Sequence, residues 1–566
     1  GVPVNDMENG RVYWSNWAGL SDVTSAMQVQ RGLGASKLAV PSIGGTINIL
    51  TKSTDVQKGG NVFVGTGNDG YQKYGVTLST GLMDNGFAAT VSAAKTKGNG
   101  YVDGTEFEGY SYFVNLSKEL NENHKLSLTS FGAPQIHGQR QNRSTIETYR
   151  NAASGNKFNP DWGIMNGEVY HIQNNFYHKT KTILNHYWTI NDKSNLSTAV
   201  YASFGSGGGS GNTGEMALFN QRLGGPDMPV DLDAVVDANR ASGANGGLAW
   251  IYASRNDHNW YGVLSTYKTE LNENLDLVAG VDVRDYKGIH FREIYHSLGS
   301  DYILDNSDVN NPNATLRTGD KFSYFNDGEV GWQGLFTQLE YNKDKVSTFV
   351  SASLSNTSYR RVDYFNYLDS DPLQTTDKYN FAGYSVKGGL NYNLNDEHNL
   401  FVNIGYFEKA AGFDAVFLNF DNEHINEDAE NQKIFSTELG YGFRGETLAA
   451  NLNVYYTQWN DRTFTDNFTN GGVEYFVNLL GVNALHQGFE LDFSWRPTDK
   501  FTMTGMLSLG DWTWDSNVLD AQVYDDANNP VGDPINLFIE GLKVADAAQT
   551  TAALGMEYQL MDKTFL

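Results

Sequence analysis

The feature that most constrains this chain is the way its connections sort by length. Short polar turns stand at Met83-Asp84-Asn85-Gly86, Asn121-Glu122-Asn123, Asn191-Asp192-Lys193, Asn272-Glu273-Asn274 and Asn342-Lys343-Asp344. They continue at Asn395-Asp396-Glu397, Arg444-Gly445-Glu446, Pro497-Thr498-Asp499 and Met561-Asp562-Lys563. Between them lie long stretches, 133–181, 207–257, 288–328, 357–381, 407–432, 459–487 and 510–547. After a first pair of modest loops, every second connection is short and every other one long. A propeller or sandwich has no reason to sort its loops by parity. A membrane barrel with tight turns on one side and long loops on the other does.

What separates the connections is period-2 sequence. From Asn61 onward there are roughly 18 candidate strands of about 8–12 residues, the length a tilted strand needs to cross a bilayer. Leu196, Thr198, Val200, Ala202 and Phe204 alternate with Ser197, Ala199, Tyr201 and Ser203. Leu275, Leu277, Ala279, Val281 and Val283 alternate with Asp276, Val278, Gly280, Asp282 and Arg284. Phe489, Leu491, Phe493 and Trp495 alternate with Glu490, Asp492 and Ser494. Carboxylates on a lipid face would cost a few kcal/mol each, so the second set faces a wet interior. The expected fold is all-β: a transmembrane antiparallel barrel with about 18–19 strands present.

Composition agrees. No run of about 18 apolar residues marks a membrane helix, although aromatic residues reach 13%. There is no cysteine, as suits passage through an oxidising periplasm. A net charge of −26 argues against nucleic acid as a partner and suits a surface with acidic loops, bridged to lipopolysaccharide by divalent cations. Turn parity places the last residues at the start of a nineteenth strand. An open barrel leaves unpaired edges in lipid, so the chain is expected to be cut at its C-terminus, and completion to about 22 strands would give the plugged transporter class. Gly-Val-Pro at the start likewise reads as a product lacking its first residues.

Residues 1–60 lack the barrel rhythm. A short strand is expected to end at Arg31-Gly32, then a small-residue segment, then the Gly44-Gly45 turn feeding a second strand over Thr46–Leu50. Such a unit is the right size to sit inside a barrel formed by 61–566.

These residues resemble a family. Val29-Gln30-Arg31-Gly32, then Gly44-Gly45-Thr46-Ile47-Asn48-Ile49 with Thr51-Lys52, are similar to the end of the plug domain of TonB-dependent outer-membrane receptors. Lys37-Leu38-Ala39-Val40-Pro41 stands where such plugs carry Tyr-Gly. Glu438-Leu439-Gly440-Tyr441 and Gly488-Phe489-Glu490-Leu491 resemble the family's E-x-G and G-x-E strands. The whole looks most like the large receptors of Bacteroidetes. The resemblance implies a plug whose motif residues are Gly32, Gly44, Gly45 and Asn48, with Arg31 held against the wall at Glu438 and Glu490. It also implies TonB as partner, through a segment outside this sequence, and active import of a small scarce nutrient, above all a ferric siderophore or other metal chelate. A passive porin or surface-binding barrel, an oligosaccharide or peptide importer, and a barrel enzyme are the alternatives. A plug-like block argues against the porin, and the strand count against the enzyme. No cofactor is expected, and a surface lipoprotein partner would leave no mark in these loops.

Other constellations are weaker. His124, His137, His171, His178 and His186 match no compact ligand spacing. His137, Arg140 and Arg143 leave a strand into the first very long loop and are candidate contacts for an anionic substrate. Asp421-Asn422-Glu423-His424 and Glu427-Asp428-Ala429-Glu430 offer acidic loops to a divalent cation, without an EF-hand pattern. Gly65-Thr66-Gly67-Asn68-Asp69-Gly70 fits G-x-G-x-x-G but leads into another alternating strand, not a helix, and reads as a turn. The glycine run over 205–211 reads as a flexible loop that closes over ligand.

Overall fold

The computed structural model describes residues 2–34, 42–52, 56–470, 473–525, 529–545, 547–562 and 564–565. Among them, eighteen antiparallel strands follow one another as a barrel wall, from Gly59–Thr66 to Thr550–Met561. His124–Gly132 and Gln135–Gly138 are two parts of one of these strands, interrupted at Ala133-Pro134, where proline cannot donate to the ladder. A two-residue return, Thr564–Phe565, pairs back on the eighteenth strand. Eight of the nine short turns fall between consecutive wall strands; the ninth follows the eighteenth strand, and its Lys563 lies outside the described residues.

Burial along wall strands such as Phe87–Gly98 inverts the rule for soluble proteins. Along Phe87–Gly98, Ala88, Thr90, Ser92 and Ala94 are buried while Phe87 and Val91 are exposed. Asn115, Ser117 and Lys181 are at most 2% exposed, whereas Leu335, Val350 and Leu354 exceed 55%. The apolar face meets lipid and the polar face meets protein within the lumen, where each buried polar group needs a partner. Asn115 Nδ2 donates to Ser127 Oγ at 2.9 Å and Thr129 Oγ1 at 2.8 Å, a ladder across neighbouring strands.

Six of the wall strands run further than their membrane-crossing need. Ala249–Asn272 and Lys321–Lys343 exceed twenty residues. The stretch expected to be irregular over 459–487 is a hairpin, Leu448–Asn470 against Val473–Thr498. The glycine run also differs from expectation. It lies inside the strand Ser194–Gly214, registered on one side against Asn174–Asn191 and on the other against Ala249–Asn272. A Cβ at Gly208 would fall 2.0 Å from the Ser254 carbonyl oxygen, so glycine here serves close approach of strands, not looseness. Above the wall, the long loops carry a small lobe. Its helix Leu232–Ser242 is capped by Asp231, which accepts from the Ala234 amide at 3.1 Å, and buries Leu232 and Val235 against Ile172, Phe219 and Ile251.

Residues ahead of the wall form their own sheet. Thr24–Arg31 pairs antiparallel with Gly45–Thr51, bringing Arg31 opposite Gly45. The first wall strand starts at Gly59. Residues 35–41, which include Lys37 to Pro41, lie outside the described residues.

Candidate functional site

The side chains that meet the N-terminal residues come from the inward faces of the wall, so the segment sits in the lumen. Its contacts fall at two levels.

The lower level is built of charge and backbone around one apolar anchor, Leu33, buried on Phe407 and Ile434. Arg31 places Nη2 3.1 Å from Asp492 Oδ2 and Nη1 3.9 Å from Glu490 Oε2, on alternate residues of one strand. Its side chain remains 56% exposed. Glu438 does not take the guanidinium: its Oε1 accepts from the Leu33 amide at 3.1 Å and its Oε2 from Asn403 at 3.3 Å. Lys387 Nζ donates to the Gly34 carbonyl at 2.8 Å, and Lys73 pairs with Asp22 at 2.7 Å.

The motif glycines have steric reasons. Gly32 has φ +64°, and a Cβ on it would lie 1.9 Å from Glu438 Oε1. Gly45 has φ +130°, with the Gln30 carbonyl 2.3 Å from its would-be Cβ. Gly44 accepts from the Gly32 amide at 3.2 Å, and Asn48 donates to Gln28 at 3.0 Å across the sheet.

The upper level is aromatic. Tyr201, Trp260, Tyr286, Val330 and Tyr359 point inward from successive strands and pack with Phe413, Val416 and Phe417, which a loop over 410–431 lowers into the lumen. Val2 and Met7 close against them. Tyr359 donates to the Ala411 carbonyl at 2.9 Å, and Arg361 holds Asn422 at 2.6 Å and Asp363 at 3.0 Å, fixing that loop. Lys181 is fully buried, with Nζ 3.9 Å from the Trp260 ring centroid and a hydrogen bond to the Pro3 carbonyl. Arg284 is paired with Asp282, and His290 meets Glu8 at 3.0 Å. In the loop, burial and the nearby Glu8 carboxylate push the Asp414 carboxyl up to about 6.

The remaining candidates do not converge. Arg140 donates to the carbonyls of Asn156 at 2.8 Å and Phe158 at 3.0 Å, which makes it a brace of its own loop. His137 lies in the upper part of a wall strand, its Nδ1 3.2 Å from the Gly138 carbonyl, and Arg143 is exposed. His124 stacks on His186, His178 meets Tyr112 and His171 meets Glu106, at three separate places. Asp421 accepts from the amides of Glu423 and His424, closing a turn. Among the described residues no group of three or more His, Asp or Glu is placed to hold a metal ion. Sequence reading missed Asp492, Lys181, Trp260 and the Glu8–His290 pair. For Asp492 a signal was present, since it shares the inward face of Glu490.

A transmembrane β-barrel with a small sheet and a packed aromatic cluster in its lumen defines a class: outer-membrane receptors whose conduit is occupied by their own N-terminal segment. The chain belongs to the TonB-dependent receptor family, whose β-barrel model, "TonB dependent receptor-like, beta-barrel", matches residues 46–563. No curated protein matches it in sequence. In fold it is similar to the copper transporter OprC, with a TM-score of 0.63 at 13% identity over 95% of this chain and 78% of that one. The siderophore receptor PiuA from Acinetobacter baumannii gives 0.63 at 12% over 95% and 75%. The unliganded ferric citrate transporter FecA gives 0.57 at 11% over 96% and 77%. The protein is therefore an outer-membrane receptor of the transporter kind, and its relatives are not enzymes.

Proposed function

We propose that this chain imports a metal chelate, a ferric siderophore foremost, across the outer membrane, with residues 1–60 as the C-terminal part of a plug and 61–566 as the barrel. The observation that carries this reading is the two-level seating of the N-terminal segment. Among its lower contacts the Arg31 ion pairs stand half in solvent, hence breakable by a pull from TonB. Its upper contacts bury an aromatic cluster beside the cations Lys181 and Arg284, a mixed apolar and charged lining that an anionic chelate would meet once the segment moves. In this reading Arg31 with Glu490 and Asp492, and Glu438 on the Leu33 amide, form the plug–barrel contact, while Gly32, Gly44, Gly45 and Asn48 keep the plug strands in register. The similar folds of receptors named for copper, siderophores and ferric citrate support the substrate class.

Uptake of radiolabelled ferric chelates by cells with and without this chain, each with TonB present or deleted, tests the reading. Accumulation that needs both is expected. Growth failure of the deletion strain on an oligosaccharide, with chelate uptake intact, would move the substrate to carbohydrate. Rapid ungated sugar flux in proteoliposomes would overturn the plugged state.

A further inference from the structure

The inner face of the barrel wall has a recess that fits a carboxylate. Gly288 and Gly328 stand directly opposite each other on neighbouring strands and both face inward. A Cβ on Gly328 would lie 2.0 Å from Glu8 Oε1, and one on Gly288 would lie 2.7 and 2.8 Å from its two oxygens. The paired glycines leave the space that the Glu8 carboxylate fills. His290 completes the cradle, its Nε2 3.0 and 3.1 Å from the two Glu8 oxygens and its Nδ1 2.9 Å from Asn256 Oδ1. Phe413 of the inserted loop borders the Gly328 side, 3.2 Å from the would-be Cβ.

The segment that delivers Glu8 is a tight turn. Asp6 Oδ1 accepts from the Glu8 amide at 3.0 Å, the Gly10 amide donates to the Asp6 carbonyl at 3.0 Å, and the Asp6 amide donates to the Arg11 carbonyl at 2.9 Å. Tyr286 donates to the other Asp6 oxygen at 3.3 Å. A preformed loop thus presents one carboxylate to a preformed recess, with little conformational entropy left to lose.

We propose that the Gly288–Gly328–His290 cradle is a carboxylate-binding site for the transported ligand, and that Glu8 occupies it as an internal stand-in until the ligand displaces it. The proposal rests on the import reading for its biological role and commits that reading to ligands carrying a free carboxylate. Occupation by Glu8 and by the ligand are mutually exclusive, so binding from the cell surface releases the tip of the N-terminal turn and loosens the upper seat.

Succinate is a suitable probe, with succinamide as the uncharged control of the same shape. Binding to the purified chain would be measured by calorimetry, and loosening of residues 6–11 by amide hydrogen exchange. Glu8→Gln removes the charged competitor and keeps its size, so succinate should bind at least threefold tighter than to the unaltered chain. Gly328→Ala fills the recess, so succinate binding should be lost while exchange over residues 6–11 rises at least threefold. In the unaltered chain succinate should raise that exchange and succinamide should not. Equal or weaker binding in Glu8→Gln, or an equal effect of succinamide, overturns the proposal. Should Gly328→Ala fail to fold, the Glu8→Gln comparison decides alone. Loss of TonB-dependent uptake with the succinate results intact would overturn import and leave the cradle standing.

Discussion

The two levels at which the lumenal segment meets the wall are built on opposite physical principles. The lower level, around Arg31, Asp492 and Glu490, combines exposed ion pairs with backbone hydrogen bonds and one buried apolar anchor, Leu33 on Phe407 and Ile434. Such pairs contribute little net free energy each, because water competes for both partners. The upper level, around Trp260, Tyr286, Tyr359 and Phe413, buries aromatic area and a lysine that has left solvent altogether. There each truncation leaves a void or an orphaned polar atom, and the cost is several times larger. The lower level therefore gives register and the upper level gives holding strength. A pull from the periplasm would part the lower contacts first, whereas a ligand arriving from outside meets the stronger seat.

The largest test of that contrast is Trp260→Ala. It removes a side chain at 1% exposure that packs on Tyr201, Tyr286 and Lys181, at a cost of about 3–5 kcal/mol. Hydrogen exchange over residues 2–13 and 410–431 should accelerate strongly, with the lower sheet little changed. Next, Gly32→Ala forces an L side chain into positive φ and against Glu438, at about 1–3 kcal/mol. Proteolysis between the two lower strands should rise, and equal protection would break the steric account of that glycine.

A smaller effect comes from acidity. The Asp414 carboxyl, held at about 6 in the folded loop, lies above its unfolded value of about 3.9. The folded loop then binds the additional proton, so this contribution is present at low pH and lost as pH rises through 6. Protection of residues 413–417, corrected for intrinsic exchange, should increase about tenfold from pH 7 to pH 5. Asp414→Asn should abolish that dependence. The smallest effect is Arg31→Ala, at about 0.2–1 kcal/mol for an exposed pair. It should vanish at about 1 M salt, where the screening length falls to about 3 Å. An effect of Arg31→Ala that exceeds that of Trp260→Ala would reverse the assignment of roles.

Much of this architecture was legible because the bilayer imposes strict periodicity. Strand number, the nine turns and the inward placing of Asp282, Glu490 and Asp492 follow from alternation alone. Legibility stopped where lipid stops. Above the membrane both faces of a strand can be polar, so 459–487 lost its signal although it forms a hairpin. Glycines at 205–211 carry no side-chain pattern, and their reason, contact with the next strand, exists only in three dimensions. The lower contact shows the same limit. The inward acids could be named, but which one faces Arg31 depends on where a separate sheet comes to rest in the lumen. Glu8 and His290 stand 282 residues apart, and no local rule joins them.

The overlong strands carry a consequence for capture. Ala249–Asn272 has 24 residues, about 80 Å at about 3.4 Å per residue. With a tilt of about 40° it still rises about 60 Å, against about 30 Å of hydrocarbon. On the side formed by Ser194–Gly214, Ala249–Asn272, Leu275–His296 and Lys321–Lys343, about half of each strand therefore stands in the water outside the cell, whereas Gly59–Thr66 and Gln72–Ser79 have only eight residues each. A solute meets protein on that side well before it reaches the level of the lipid headgroups, and its search for the aromatic cluster below becomes a descent along a wall rather than diffusion over an open surface.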